Sequence, residues 1–262
     1  MGVHGGPNIV TDGLVFLADA ANKQSWTGPD SSTVNSLVKN ITGSSTVNNL
    51  RGAFTGSIVN NTSGSYGDNN SFDFDGTDDA IDTGFVPKDN ITSNFTISGW
   101  INVHTLGSLS AGVIIGTSDE ISPYSFFTFG MVKYTGTNYY YYYRLGGNAN
   151  RAYSGLDTYS LSNFSLNTWQ HLTITYNGTY IKLYNDSNLE HTITPSNSII
   201  NLPPITSGFS GTSYMGAAHD SRPGYSPSLD LNGEIGPTQI YNKALTQAEV
   251  TQNYNALKGR FE

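Results

Sequence analysis

Apolar and polar residues alternate with a period of two along much of the chain, the pattern of strands buried on one face. The clearest case is Phe95-Thr-Ile-Ser-Gly-Trp-Ile-Asn-Val103, where Phe95, Ile97 and Ile101 point one way and Thr96, Ser98 and Trp100 the other. Ser71-Phe-Asp-Phe-Asp-Gly76 alternates likewise, turns at Gly76-Thr77-Asp78 and continues over residues 80–84. Residues 13–19, 112–117, 124–133, 139–145, 213–218 and 232–241 read as further strands, with a shorter one inside 53–59. In 169–185, Leu172, Ile174 and Tyr176 alternate up to Asn177-Gly178, a pair suited to a two-residue type I′ turn, and Ile181, Leu183 and Tyr184 lead back. This many short strands with almost no helix predict an all-β, two-sheet antiparallel sandwich of the jelly-roll kind.

One helix breaks the pattern, over about residues 246–258. Thr246 and Glu249 form a capping box, with Leu245 and Val250 at the staple positions. Val250, Tyr254 and Leu257 make an apolar stripe, and Gly259 suits a left-handed stop. The helix is expected on the edge of the sandwich. Residues 1–12, with Gly2, Gly5, Gly6 and Pro7, read as an N-terminal arm, and 13–262 as a single domain.

Composition narrows the function. Ser, Thr, Asn and Gly number 30, 28, 27 and 29, while only 12% of residues are charged and the net charge is −8. Such a field repels phosphate, so nucleic acid is not expected as a partner. With no cysteine, disulfides, thiol catalysis and zinc thiolates are excluded. No apolar run is long enough for membrane insertion, and the start lacks the pattern of a signal peptide.

Four segments together resemble the laminin-G-like, concanavalin-A-like jelly roll: Phe72-Asp-Phe-Asp-Gly-Thr-Asp-Asp79, Phe95-Thr-Ile-Ser-Gly-Trp-Ile101, the stretch from Trp169 to Tyr184, and Asn232-Gly-Glu-Ile-Gly-Pro-Thr-Gln-Ile-Tyr-Asn-Lys-Ala-Leu245. Residues 6–15 and 245–261 resemble the ends of such proteins in tailed, especially marine, bacteriophages. One departure is the hairpin turn Asn185-Asp-Ser-Asn188, where the family usually carries glycine. The resemblance implies a virion surface protein, made in the host cytoplasm, that decorates a capsid or forms a tail appendage. It also implies a homo-oligomer that touches other virion proteins through its arm and C-terminal helix. A host surface polysaccharide is the ligand such a protein would meet.

Three kinds of site chemistry bear on the function. Retaining glycosidases need two carboxyls about 5–5.5 Å apart. The five Glu (120, 190, 234, 249 and 262) share no local strand face, and Asp73 and Asp75 lead into a turn. The expectation is therefore a non-enzymatic protein, with a stand-alone carbohydrate-binding module as the alternative and a polysaccharide-degrading enzyme behind it. Calcium takes about six to eight oxygen ligands from flexible loops. By resemblance to pentraxins, Asp119, Glu120 and Asp220 match ligand positions, with Asp230 a looser fourth. Finally, Tyr139–Tyr143 is a run of five followed by Arg144. Tyr139, Tyr141 and Tyr143 share one strand face and, with Arg144, are candidates for stacking on a glycan. A half-buried ladder of tyrosines is the other reading of the same run.

Overall fold

The alternating segments pair into two antiparallel sheets in a computed structural model. It describes residues 8–22, 24–25, 33–38, 51–55, 59–60, 71–77, 79–91, 93–106, 110–119, 125–133, 138–147, 160–195, 213–217 and 230–262. The strands are β1 (Leu14–Ala18), β2 (Thr33–Asn35), β3 (Arg51–Thr55), β4 (Val59–Asn60), β5 (Phe72–Asp75), β6 (Ala80–Asp82), β7 (Phe95–Thr105), β8 (Ser110–Asp119), β9 (Ser125–Lys133), β10 (Tyr139–Gly147), β11 (Trp169–Tyr176), β12 (Ile181–Asn185), β13 (Asn188–Ile193), β14 (Tyr214–Met215) and β15 (Asn232–Tyr241). One short helical turn, α1 (Pro87–Asn90), precedes β7, and α2 (Gln247–Leu257) follows β15. The first sheet runs β13-β12-β11-β7-β15-β5-β4, with β1 also on β15; the second runs β10-β9-β8-β14-β6-β3-β2. The expected two-sheet sandwich is what forms.

The core lies between the sheets because each strand turns its apolar alternate inward. Phe72, Phe74, Ile97, Ile101, Leu172, Ile174 and Ile235 from the first sheet meet Ile115, Phe127, Phe129, Met131, Tyr141 and Tyr143 from the second. Trp100 points the other way, as its alternation requires. There it joins Trp169 and Phe261 in a second buried cluster, with Tyr254 and Leu257 packed against it. The C-terminal segment therefore covers the outer face of the first sheet rather than its edge.

The capping box of α2 is present. Glu249 N donates to Thr246 Oγ1 at 3.3 Å, and Thr246 N donates to Glu249 Oε2 at 2.8 Å. The helix ends differently from the expectation. Lys258 stays right-handed at φ −55°, and the chain tightens into a 3₁₀ turn over Lys258–Arg260 with Gly259 inside it. Residues 8–10, read as part of the arm, lie on α2. Val10 N donates to Asn253 Oδ1 at 2.8 Å, and Gln252 Nε2 donates to Asn8 O at 2.7 Å.

The first hairpin turn departs from the sequence reading. Tyr176 pairs with Ile181, so the β11–β12 loop has four residues. Asn177 Oδ1 accepts from Thr179 N and Tyr180 N at 3.0 and 2.7 Å, and only Gly178 takes a positive φ there. The two-residue turn lies one strand later, at Asp186-Ser187, with φ of 45° and 66°. Asp tolerates this left-handed region better than most residues, and the turn carries it without glycine.

His171, opposite Trp100 on the outer face, is fully buried, and burial pushes its pKa from 6.5 down to about 3. The unfolded chain binds this proton below about pH 6.5; the folded chain does not until about pH 3. This group therefore stabilises the fold above pH 6.5 and loses that contribution as pH falls toward 3. Two units below 6.5 the loss is about 2–3 kcal/mol. A His171→Gln variant should lose less stability than the parent between pH 7 and 4.5, read from urea midpoints. Raised carboxyls elsewhere are common to both proteins and drop out of the comparison. Equal losses would show that His171 is not held neutral.

Candidate functional site

The Asp186-Ser187 turn forms one wall of a cleft of about 370 Å³, within the range of small-ligand sites. Its lining is Ser162, Asn163, Asn185, Asp186, Asn188, Leu189, Glu190 and His191. The cleft sits where the edge strands of the two sheets come level: β13 on one side, and the segment after β10 on the other. Three bonds tie that segment across. Asn185 Nδ2 donates to Ser162 O at 2.8 Å, His191 Nε2 lies 2.9 Å from Ser160 O, and Ser162 N donates to Glu190 Oε2 at 3.4 Å. Asn163 holds its turn in the left-handed region at φ 57°.

The carboxyls of the cleft are fixed from behind. Tyr141 donates its hydroxyl to Glu190 Oε2 at 2.7 Å. Burial raises the Tyr141 pKa far above the usual phenol range, so the hydroxyl stays a donor. Asp186 Oδ1 accepts from His171 N at 2.9 Å. Burial raises the Asp186 pKa, opposed by that bond and reinforced by the charges of Glu262 and Glu190. Gln247 at the start of α2 grips Ser187 O at 2.6 Å, and Tyr254 holds Glu262 at 2.7 Å, so the C-terminal segment supports the turn. Chemically, the cleft is a polar site in which two carboxyls, each held by hydrogen bonds, stand among Ser, Asn and His groups.

The tyrosine run resolves by register. Tyr141, Tyr143 and Leu145 are buried at 0%, 2% and 2% exposure, opposite Met131, Phe129 and Phe127 of β9. Tyr139 is half-buried and packs on Phe164 at 4.7 Å between ring centroids. These tyrosines are core residues, because the Phe and Met side chains of β9 define their face as the inner one. Tyr140, Tyr142 and Arg144 occupy the outer face, each half-exposed. The shared stacking face proposed for Tyr139, Tyr141 and Tyr143 is therefore closed to a glycan. Tyr141 reaches the cleft through its hydroxyl alone.

The calcium candidates fall mostly beyond what is described. Glu120 and Asp220 lie outside the described residues, and for Asp119 only its place at the end of β8 is described. β14 runs antiparallel to β8, with Met215 opposite Ile115. Gly216, beside Ile114, accepts from Leu231 N at 2.8 Å, which puts Asp230 toward the start of β8. Asp119 is five residues further along that strand, about 16 Å at roughly 3.3 Å per residue. Among the described residues no group of three His, Asp or Glu is placed to hold a metal.

The register assembles a second carboxyl cluster that sequence spacing did not reveal. Glu234 on β15 lies opposite both Asp73 on β5 and Asn102 on β7. Its buried carboxylate accepts from Ser71 Oγ at 2.9 Å and Asn102 Nδ2 at 2.8 Å, with His104 Nε2 at 3.3 Å. That bond raises the His104 pKa; burial, then Glu234, raises that of Asp73. Glu234 is enclosed by these groups, with 1% of its side chain exposed.

The two-sheet sandwich is that of a concanavalin A-like jelly roll. A family model described as the concanavalin A-like lectin/glucanases superfamily, of laminin-G type, matches residues 75–251, and the chain belongs to that family. No curated protein sequence matches it. Among solved structures, domain 4 of AbnA, a GH43 extracellular arabinanase from Geobacillus stearothermophilus, in complex with arabinotriose, is similar with a TM-score of 0.59 at 15% identity. That match covers 92% of this chain and 98% of that one. Trypanosoma rangeli sialidase in complex with sialic acid is similar at TM-score 0.59 and 13% identity, over 96% of this chain and 34% of the sialidase. The chain thus spans about a third of the sialidase. At these identities the likeness is one of fold.

Proposed function

We propose that the chain is a non-enzymatic glycan-binding jelly roll displayed on a virus particle, as capsid decoration or tail appendage. The observation that carries binding is the edge cleft: fixed Asn, Asp, Glu and His groups around a space of ligand size. The similarity to an arabinanase domain solved with arabinotriose supports the reading. The enclosure of Glu234 supports a non-enzymatic role. The particle role and the expected homo-oligomer rest on the resemblance of residues 6–15 and 245–261 to phage jelly-roll proteins. The apolar side of α2 packs on its own sheet, so contacts with other virion proteins would use its outward side.

The test is a glycan array probed with the purified chain, in calcium and again in EDTA. Binding that survives EDTA is expected of the cleft. Binding lost in EDTA would move the ligand to the acidic loops around Asp119 and Asp220, with calcium as cofactor. No bound glycan in either buffer would sink the binding role. Purified virions lacking the chain by mass spectrometry would sink the particle role.

A further inference from the structure

The cleft has a polarity that specifies its ligand, an inference that rests on the glycan-binding reading. Asp186 and Glu190 both line it, and no Lys or Arg is among the lining residues. Asn185, 5% exposed, uses its Nδ2 on Ser162 O, and its Oδ1 has no partner. A buried carbonyl oxygen without a donor costs free energy, and the wall behind the cleft supplies Asn185 Oδ1 with none. The carboxylate of Glu190 already takes Tyr141 Oη and Ser162 N on Oε2, which leaves Oε1 for a further donor. The site's two carboxyls, with no Lys or Arg beside them, therefore ask for donors and positive charge.

We propose that this cleft binds a sugar residue rich in hydrogen-bond donors and free of negative charge, amino sugars above neutral ones, and refuses sialic and uronic acids. The ammonium of an amino sugar sits between Asp186 and Glu190, where charge-assisted bonds are shorter and stronger than neutral ones. A neutral sugar makes the same contacts through hydroxyls alone. A sugar carboxylate meets two like charges and loses.

The experiment is calorimetry on the full chain with a glucosamine tetramer, its N-acetylated counterpart, 3′-sialyllactose and trigalacturonate. Tetralysine controls for general attraction to a chain of net charge −8. The glucosamine tetramer should bind at least about tenfold tighter than the acetylated one, and the two acidic ligands should not bind. Glu190→Gln, checked for folding by its melting curve, should bring the two tetramers within about threefold of each other; Asp186→Asn should do the same. Preference for an acidic or acetylated sugar would overturn this inference and leave the glycan-binding reading standing. Tetralysine binding as tightly as the glucosamine tetramer would overturn it as well, as would an unchanged preference in both variants. No sugar binding at all would overturn both.

Discussion

Phe261→Ala should cost the fold about 3–5 kcal/mol, the usual range for emptying a buried phenylalanine site. Phe261 is the second residue from the end of the chain, yet it is 7% exposed. Its ring lies 4.6 Å from that of Trp100 at 20°, and 4.6 Å from that of Trp169. Gly236 on β15 leaves the space: a Cβ there would meet Phe261 Cζ at 2.8 Å. Without the ring, two tryptophans on the outer face of the first sheet lose their cover. For a chain of this size each kcal/mol moves the melting temperature by about 2–4 °C, so a drop of roughly 6–20 °C is expected by calorimetry. A drop below about 2 °C would mean that the terminal segment is not seated on Trp100 in solution. The same variant should weaken sugar binding at the cleft, because Tyr254, Glu262 and the Asp186 turn are held by the segment that Phe261 anchors.

Glu234→Ala should cost a similar amount, about 3–5 kcal/mol, because it strands buried partners rather than removing one surface group. Ser71 Oγ and Asn102 Nδ2 would both lose their acceptor inside the sheet face. Glu234→Gln keeps the shape and one oxygen, so it should cost less than the alanine variant. Two titrations check the account independently. With the charge gone, the Asp73 carboxyl should titrate lower and the His104 imidazole lower, read by NMR, since Glu234 raises both. Unmoved titrations with intact stability would mean that the three groups do not form one network.

What the sequence made legible was whatever a single segment decides. The alternation in 95–103 put Phe95, Ile97 and Ile101 on one face and Trp100 on the other, because a strand's period is fixed by its own backbone. Thr246 and Glu249 cap α2 from three residues apart. The tyrosine run was ambiguous for a physical reason: either face of five tyrosines is apolar enough to be buried, and Phe127, Phe129 and Met131 across the strand pair decide. The Glu234 cluster depends on register between strands over 130 residues apart in sequence. The cleft was invisible for the same reason. Its one local signal was the glycine-free turn Asn185-Asp-Ser-Asn188, whose left-handed pair now frames the site. Asn177-Gly178 drew the type I′ assignment instead, although the side chain of Asn177 closes a wider loop.

The order of strands in the first sheet also sets a timetable. β15 lies at its centre, paired with β7, β5 and β1, and it is the last strand in the chain. During synthesis β1 and β5 leave the ribosome without the neighbour that joins them to β7. At about 5–20 residues per second, the 228 residues from Leu14 through Tyr241 take roughly 10–45 s to appear. Until β15 appears, the edges of β1 and β5 that it will pair wait without it. The sheet closes only as β15 slots between strands made long before it, so the chain is exposed to aggregation until then.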